Sequence, residues 1–377
     1  MRWPDRVVNR DEARRRFGDR LDRLVPWLLE ADPLADAVVA DLAELPDRGH
    51  AVIGRMLAGD LPTDAPDSVR ALAAALVRVP MWVDWERIER AGRLLFRAGP
   101  LGGLVLGAGS LVAGYCAPAG NKPLVLTGAL TGTRTAFRLA ETGRFVVAVC
   151  EPSGLRRHGA GLAAATRVRL MHARVRWLVQ RSGRWDEAAW GAPINQHDMV
   201  ATHLLFSMRF VDGLRRLGLG IDEELCADWL HLWRLVSHRM GVVDDLLPTT
   251  EHEAQRLTDL IHLTQAPPDD DARRLVASLL SPQSGRPQRL PASVPHGLCR
   301  FLLGDTVGDQ LGLVREPWMR GLSAVRGVVR PVDALVRRVR PLEERAMAWG
   351  RAHWETAIAE GAAGRPVAFR PTESLAG

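Results

Sequence analysis

Apolar residues recur at intervals of three and four through most of the chain, while strict alternation over five or more residues is hard to find. The first spacing lines one face of a helix and the second one face of a strand, so the chain reads as all-α. Helical pattern is present early, in the stretches 10–17 and 33–44, and Pro62, Pro66 and Pro80 then interrupt it. From Trp82 to about residue 263 it continues, broken only by turn-like clusters at Gly99-Pro100, 119–123, 151–154 and 191–193. Loop-like stretches at 265–271 and 281–287 precede further helices that run to about residue 360. The expected organisation is an N-terminal helical extension over 1–75, a helical core over 76–265, C-terminal helices over 266–363 packed on that core, and a frayed tail over 364–377.

Composition narrows the class. With 377 residues, 47% hydrophobic and 25% charged, the chain can bury a sizeable core, which excludes disordered, collagenous and disulfide-scaffold proteins. A net charge of +6 suggests a polyanionic partner until the basic residues are inspected: Lys122 is the sole lysine, and the arginine bias accompanies heavy use of Ala, Leu, Val, Gly and Pro. No aromatic platform interleaves the basic run, where Trp177 alone adjoins, so nucleic acid is not expected as a partner. Cys116, Cys150, Cys226 and Cys299 are widely spaced without a C-x-x-C pair, and the charged N-terminus lacks the apolar core of an export signal. Both features point to a cytoplasmic protein with reduced thiols. The uncharged stretch 100–118 is interrupted by five glycines and reads as buried core or channel lining; its alternative use is peripheral contact with a membrane.

Two constellations carry candidate chemistry. The first places His172 among Arg167, Arg169, Arg174 and Arg176, with Arg169 one helical turn before it and Arg176 one turn after, on the same face. Positive neighbours lower a histidine's affinity for a proton and keep it a neutral ligand or base, and the same arginines suit carboxylates such as haem propionates. A solvated basic face is the plain structural alternative. The second is Arg134, Arg138 and Thr142, four apart on one helix face among apolar residues, where hydroxyl and guanidinium could donate to dioxygen, an oxyanion or a propionate. An intrahelical network with Glu141 is the alternative there. His197, Asp198 and His203, and Asp244 with Asp245, offer weaker metal-binding possibilities without the Glu-x-x-His pairs of a di-iron bundle.

Taken in order, Arg138-x-x-x-Thr142, Met171-His172-Ala173-x-x-Arg176 and Pro193-Ile-Asn-Gln-x-Asp198 resemble the MpaB-type oxygenases and their relatives the latex clearing proteins. Val79-Pro-x-Trp82, Trp233, Gly241-Val, Leu246-Leu-Pro248 and Arg300-Phe-Leu-Leu-Gly-Asp305 agree, and the resemblance spans roughly 78–318. It implies a globin-like helical core holding haem b, with His172 on the iron, Arg138 and Thr142 at the haem, and Arg176 near the propionates or the ligand helix. It also implies dioxygen as co-substrate and cleavage of carbon–carbon double bonds in a hydrophobic isoprenoid or polyketide chain. One departure stands out. Latex clearing proteins carry a lysine just before the threonine and an acid on the preceding helix, whereas this chain has Glu141 there and no acid between Ala98 and Ala140. Glu141 is therefore a candidate acid of the site, Arg169 a further cofactor contact, and a small hydrophobic molecule a better expectation than rubber. A non-catalytic haem or gas-binding protein is the alternative, and the oligomeric state is left open.

Overall fold

The computed structural model describes residues 3–44, 49–128, 134–281, 293–316, 318 and 321–365. Among them no strand forms, and the β-type pairing present is an isolated bridge between Val7 and Gln265. The fold is all-α, as the periodicity predicts. The tail expected from 364 and the loop at 281–287 lie, except for their first residues, outside the described residues.

Helix Trp85–Ala98 shows how local signals set an element. Asp84 Oδ1 accepts from the backbone N–H groups of Glu86 (3.0 Å) and Arg87 (3.2 Å), satisfying two donors of the first turn. Gly99 ends the helix at φ +50°, a conformation that favours glycine. Ile88, Ala91, Leu94, Leu95 and Ala98 turn inward. They face helices Arg134–Cys150, Glu223–Arg239 and Arg340–Ala362.

Elsewhere tertiary context overrides a local signal. The stretch 119–123, expected as a turn, lies inside helix Pro118–Thr127. Pro118 sits in the first turn, where a missing N–H costs nothing. Lys122 is held there by Asp269 (3.1 Å) and Asp271 (2.5 Å). The uncharged stretch at 100–118 folds as Pro100–Leu104, a π-helical turn Val105–Leu111 and Val112–Tyr115, bent by 89° from Trp85–Ala98. Val105, Val112 and Tyr115 are buried in the core, while Leu104 is exposed. Among the described residues no single helix is long and apolar enough to cross a membrane.

The N-terminal extension does not stand apart. Val7, Phe17, Leu21 and Leu28 belong to one apolar cluster that extends to Ala362. Helices Pro33–Ala43 and Asp67–Val77 build a satellite cluster in which Val38, Val69 and Leu72 close on Leu162, Leu170 and Ala173. Those last three residues lie on helix Ala160–Arg181, the helix that carries His172. At the other end of the chain, helix Leu322–Arg338 packs inside out. Its Asp333 is buried against Arg97 (3.6 Å) and Arg337 (3.2 Å), while Val328, Val332 and Leu335 are 68%, 56% and 56% exposed.

Candidate active site

Helix Ala160–Arg181 lies between helix Arg134–Cys150, the extension's helix Pro33–Ala43 and helix Glu223–Arg239. Its start crosses the end of Arg134–Cys150 closely, since a Cβ on Gly161 would fall 2.5 Å from the Ala148 carbonyl oxygen. His172 sits midway along it. The residue as a whole is half-buried. Its Nδ1 is buried with no hydrogen-bond partner among the described residues. Burial, then the positive charges of Arg176 and Arg138, pushes its pKa down to about 3, so the imidazole is neutral at neutral pH. That is the form in which histidine binds a metal.

Arg138 reaches this helix from its neighbour. Its Nη1 donates to Glu141 Oε2 (2.7 Å), and its Nη2 lies 3.5 Å from Met171 Sδ, next to His172 in the chain. Glu141 is buried. Thr142 is exposed, and its hydroxyl donates to the Arg138 carbonyl (3.0 Å). The structure thus gathers Arg138 and Glu141 beside the His172 helix as an ion pair. It commits the Thr142 hydroxyl proton to the backbone instead of to a ligand. The side chain of Arg134 lies outside the described residues.

The two arginines that flank His172 have different fates. Arg169, expected at the cofactor, is instead engaged by Asp32: its Nε and Nη2 donate to the two carboxylate oxygens at 2.6 and 2.8 Å, with both partners buried. An unpaired guanidinium is costly in such a place, and a bidentate carboxylate offsets that cost. Arg176 donates Nε to Asp36 (2.7 Å) and Nη1 to the Ile194 carbonyl (3.3 Å), and keeps a buried Nη2 with no partner among the described residues. One donor of Arg176 is therefore still available to a carboxylate, and none of Arg169's geometry points that way.

These contacts explain motifs that sequence reading left without a role. Gly241 adopts φ +88° against the Asp32–Arg169 pair, where a Cβ would fall 2.3 Å from Asp32 Oδ2. Gln196 Nε2 donates to the carbonyls of Ala31 (2.7 Å) and Gly241 (2.9 Å), and its Oε1 accepts from Val243 N (3.1 Å). Ile194 is held at φ +49°, a strained conformation for a β-branched residue, and its carbonyl accepts from Arg176. Asp198 accepts from both Nη groups of Arg6 at 2.8 and 2.7 Å. The segment 193–198 is thus a clamp that binds the N-terminal extension to the core.

The weaker metal candidates disperse. His203 Nδ1 pairs with Ser237 Oγ (2.8 Å) in a site with 2% exposure, and Asp244 pairs with His238 (2.7 Å) and accepts from the Trp82 indole (3.2 Å). Among the described residues no group of three or more His, Cys, Asp or Glu side chains is placed to hold a metal ion. Sequence reasoning missed Asp32 and Asp36. The signal available was Asp32-Pro33, an N-cap followed by proline, with Asp36 one turn further along the same face.

Residues 96–340 match the family described as ER-bound oxygenase mpaB/B'/Rubber oxygenase, catalytic domain. The chain belongs to this family. It is therefore an oxygenase, an enzyme that uses dioxygen, and its all-α fold is the family's. A Rubber oxygenase from Streptomyces sp. (strain K30) is 26% identical over 304 residues, covering 79% of this chain and 73% of that protein. The structure of latex clearing protein in the closed state superposes with a TM-score of 0.70 at 21% identity, covering 88% of this chain and 91% of the other. Asp32 and Asp36 lie outside the matched family region, so in this oxygenase the N-terminal extension braces the His172 helix from beyond it.

Proposed function

We propose that this oxygenase uses haem b, whose iron His172 would hold, to cleave a carbon–carbon double bond in a hydrophobic isoprenoid or polyketide chain. The observation that carries the reading is His172 itself: neutral, with a buried Nδ1 that has no partner and no companion metal ligands among the described residues. A lone neutral imidazole suits an iron that brings its other four ligands on a porphyrin. The unpartnered Nη2 of Arg176, one turn away, suits a propionate. Bound there, the haem iron would supply the activation of dioxygen that side chains cannot.

The chain's own residues then hold and orient. Asp36 and the strained Ile194 carbonyl fix Arg176, Asp32 fixes Arg169, and the two pairs set the rotation of the His172 helix about its axis. Arg138 holds the buried Glu141 carboxylate, which supplies an acid–base group beside that helix. The relative named Rubber oxygenase supports a polyisoprene-like substrate, and Glu141 in place of the latex clearing proteins' lysine favours a smaller hydrophobic chain over the polymer.

Such a substrate partitions into lipid, and we place peripheral membrane contact on helix Leu322–Arg338. Its outward row of Val328, Val332 and Leu335 is apolar and exposed, Arg338 lies at the edge of that row, and its acid, Asp333, is buried. An apolar row bordered by a cation fits an anionic bilayer surface. The four unpaired cysteines support a reducing, cytoplasmic setting.

The deciding experiment compares the visible spectra of the purified protein and His172→Ala, with haem supplied during expression and quantified as the pyridine haemochrome. A Soret band in the parent, lost or shifted in the variant, is expected. A folded parent that takes up no haem even on reconstitution overturns the proposal.

A further inference from the structure

A cleft that shares no residue with the His172 site opens between helices Met208–Leu217, Glu251–Thr264 and Leu322–Arg338. Its volume is about 450 Å³, and its walls are Arg209, Asp212, Arg215, Arg216, Gln255 and Arg326. Two of the four guanidinium groups are engaged. Arg215 pairs with Glu251 through both Nη groups (2.5 and 3.2 Å), and Arg216 Nη1 donates to the carbonyls of Phe301 (3.2 Å) and Leu302 (3.3 Å). The side chains of Arg209 and Arg326 have no hydrogen bond or ion pair among the described residues.

Arg209 is the more demanding of the two, because much of it is enclosed and burial lowers its pKa. A charge taken out of water needs a counter-ion. The nearby carboxyl, Asp212, does not come within ion-pair distance of it, and burial raises the Asp212 pKa. With Arg215 answered by Glu251, three guanidinium groups still face one carboxyl across the cleft. A single carboxylate ligand would leave positive charge over, whereas a dianion neutralises it and offers several oxygens to the planar guanidinium forks.

We infer that this cleft binds a phosphate-type dianion, a phosphate ester or diphosphate group, through Arg209 and Arg326 with Arg216 in support. The volume exceeds what inorganic phosphate fills and lies within the range of small-ligand sites. The inference does not depend on the haem reading, since neither its residues nor its test involves His172.

The test is calorimetric titration of the purified full-length chain with inorganic pyrophosphate at constant ionic strength, beside Arg209→Met and Arg326→Gln. Saturable binding is expected, weakened about tenfold or more in each variant by loss of a charge-assisted contact. Arg326 is exposed, so its variant keeps the fold if Arg209→Met does not. Competition arms identify the source of the phosphate: displacement of pyrophosphate by phosphatidic acid vesicles marks a lipid headgroup, and displacement by glycerol phosphate alone marks a free ester. Absence of saturable binding, or equal binding in the parent and Arg326→Gln, overturns the inference.

Discussion

Asp32→Ala is the sharpest probe of how the extension supports the candidate site. The substitution removes the carboxylate that accepts from Arg169 Nε and Nη2 at 2.6 and 2.8 Å, and leaves that guanidinium with one long contact, 3.4 Å to the Arg239 carbonyl. Both side chains are about one-tenth exposed, so solvent does little to compensate. Breaking one side of a buried pair costs about 3–5 kcal/mol. Asp32 Oδ1 also accepts from Ala35 N (3.2 Å) as the cap of helix Pro33–Ala43. Loss of a cap adds about 1 kcal/mol, so the expected destabilisation is about 4–6 kcal/mol. Urea unfolding followed by far-UV circular dichroism measures it. The double variant Asp32→Ala/Arg169→Met, which removes the stranded charge, should be more stable than Asp32→Ala alone, with a coupling of about 3 kcal/mol. A single variant that costs under about 1 kcal/mol, or a double variant no more stable than it, would refute the argument that Asp32 neutralises a buried charge.

Acid should weaken the fold in a defined window. Burial pushes the pKa values of His172 to about 3 and His203 to about 4, both from 6.5. The unfolded chain therefore gains these protons below about pH 6.5 while the folded chain refuses them. Stability is complete above that pH and is lost as pH falls through it, by about 2 kcal/mol per histidine at pH 5. Urea midpoints that match at pH 7 and pH 5 would contradict the neutral assignment. For helix Leu322–Arg338, sedimentation with vesicles containing phosphatidylglycerol should bring down the parent and leave Val332→Asp/Leu335→Asp in solution, with pure phosphatidylcholine as the weak binder. If the variant instead loses a dimer by light scattering while the parent ignores vesicles, the face belongs to a second copy of the chain.

Much of the fold was readable from local pattern. The apolar spacing of Ile88, Ala91, Leu94, Leu95 and Ala98, the Asp84 cap and the Gly99 stop define a helix by interactions within four residues, which is the range over which periodicity reports. His172 as a neutral histidine beside arginines was readable for the same reason, since one-turn spacing is local. The 119–123 turn was misread because glycine and proline describe a local tendency, whereas Pro118 at the helix start and the clamp on Lys122 decide the outcome.

What each arginine of the His172 helix does was not readable. Arg169 and Arg176 share a face by spacing, but their partners Asp32 and Asp36 are 137 and 140 residues away in the chain. The sequence by itself determined an all-α chain with a conspicuous histidine on a cationic helix. Only the tertiary structure decided that Arg169 is spent on the N-terminal extension while Arg176 keeps a donor free. Pairing across such separations depends on how helices pack, and in a buried place the charge that finds no partner must either be neutralised by the fold or wait for a ligand.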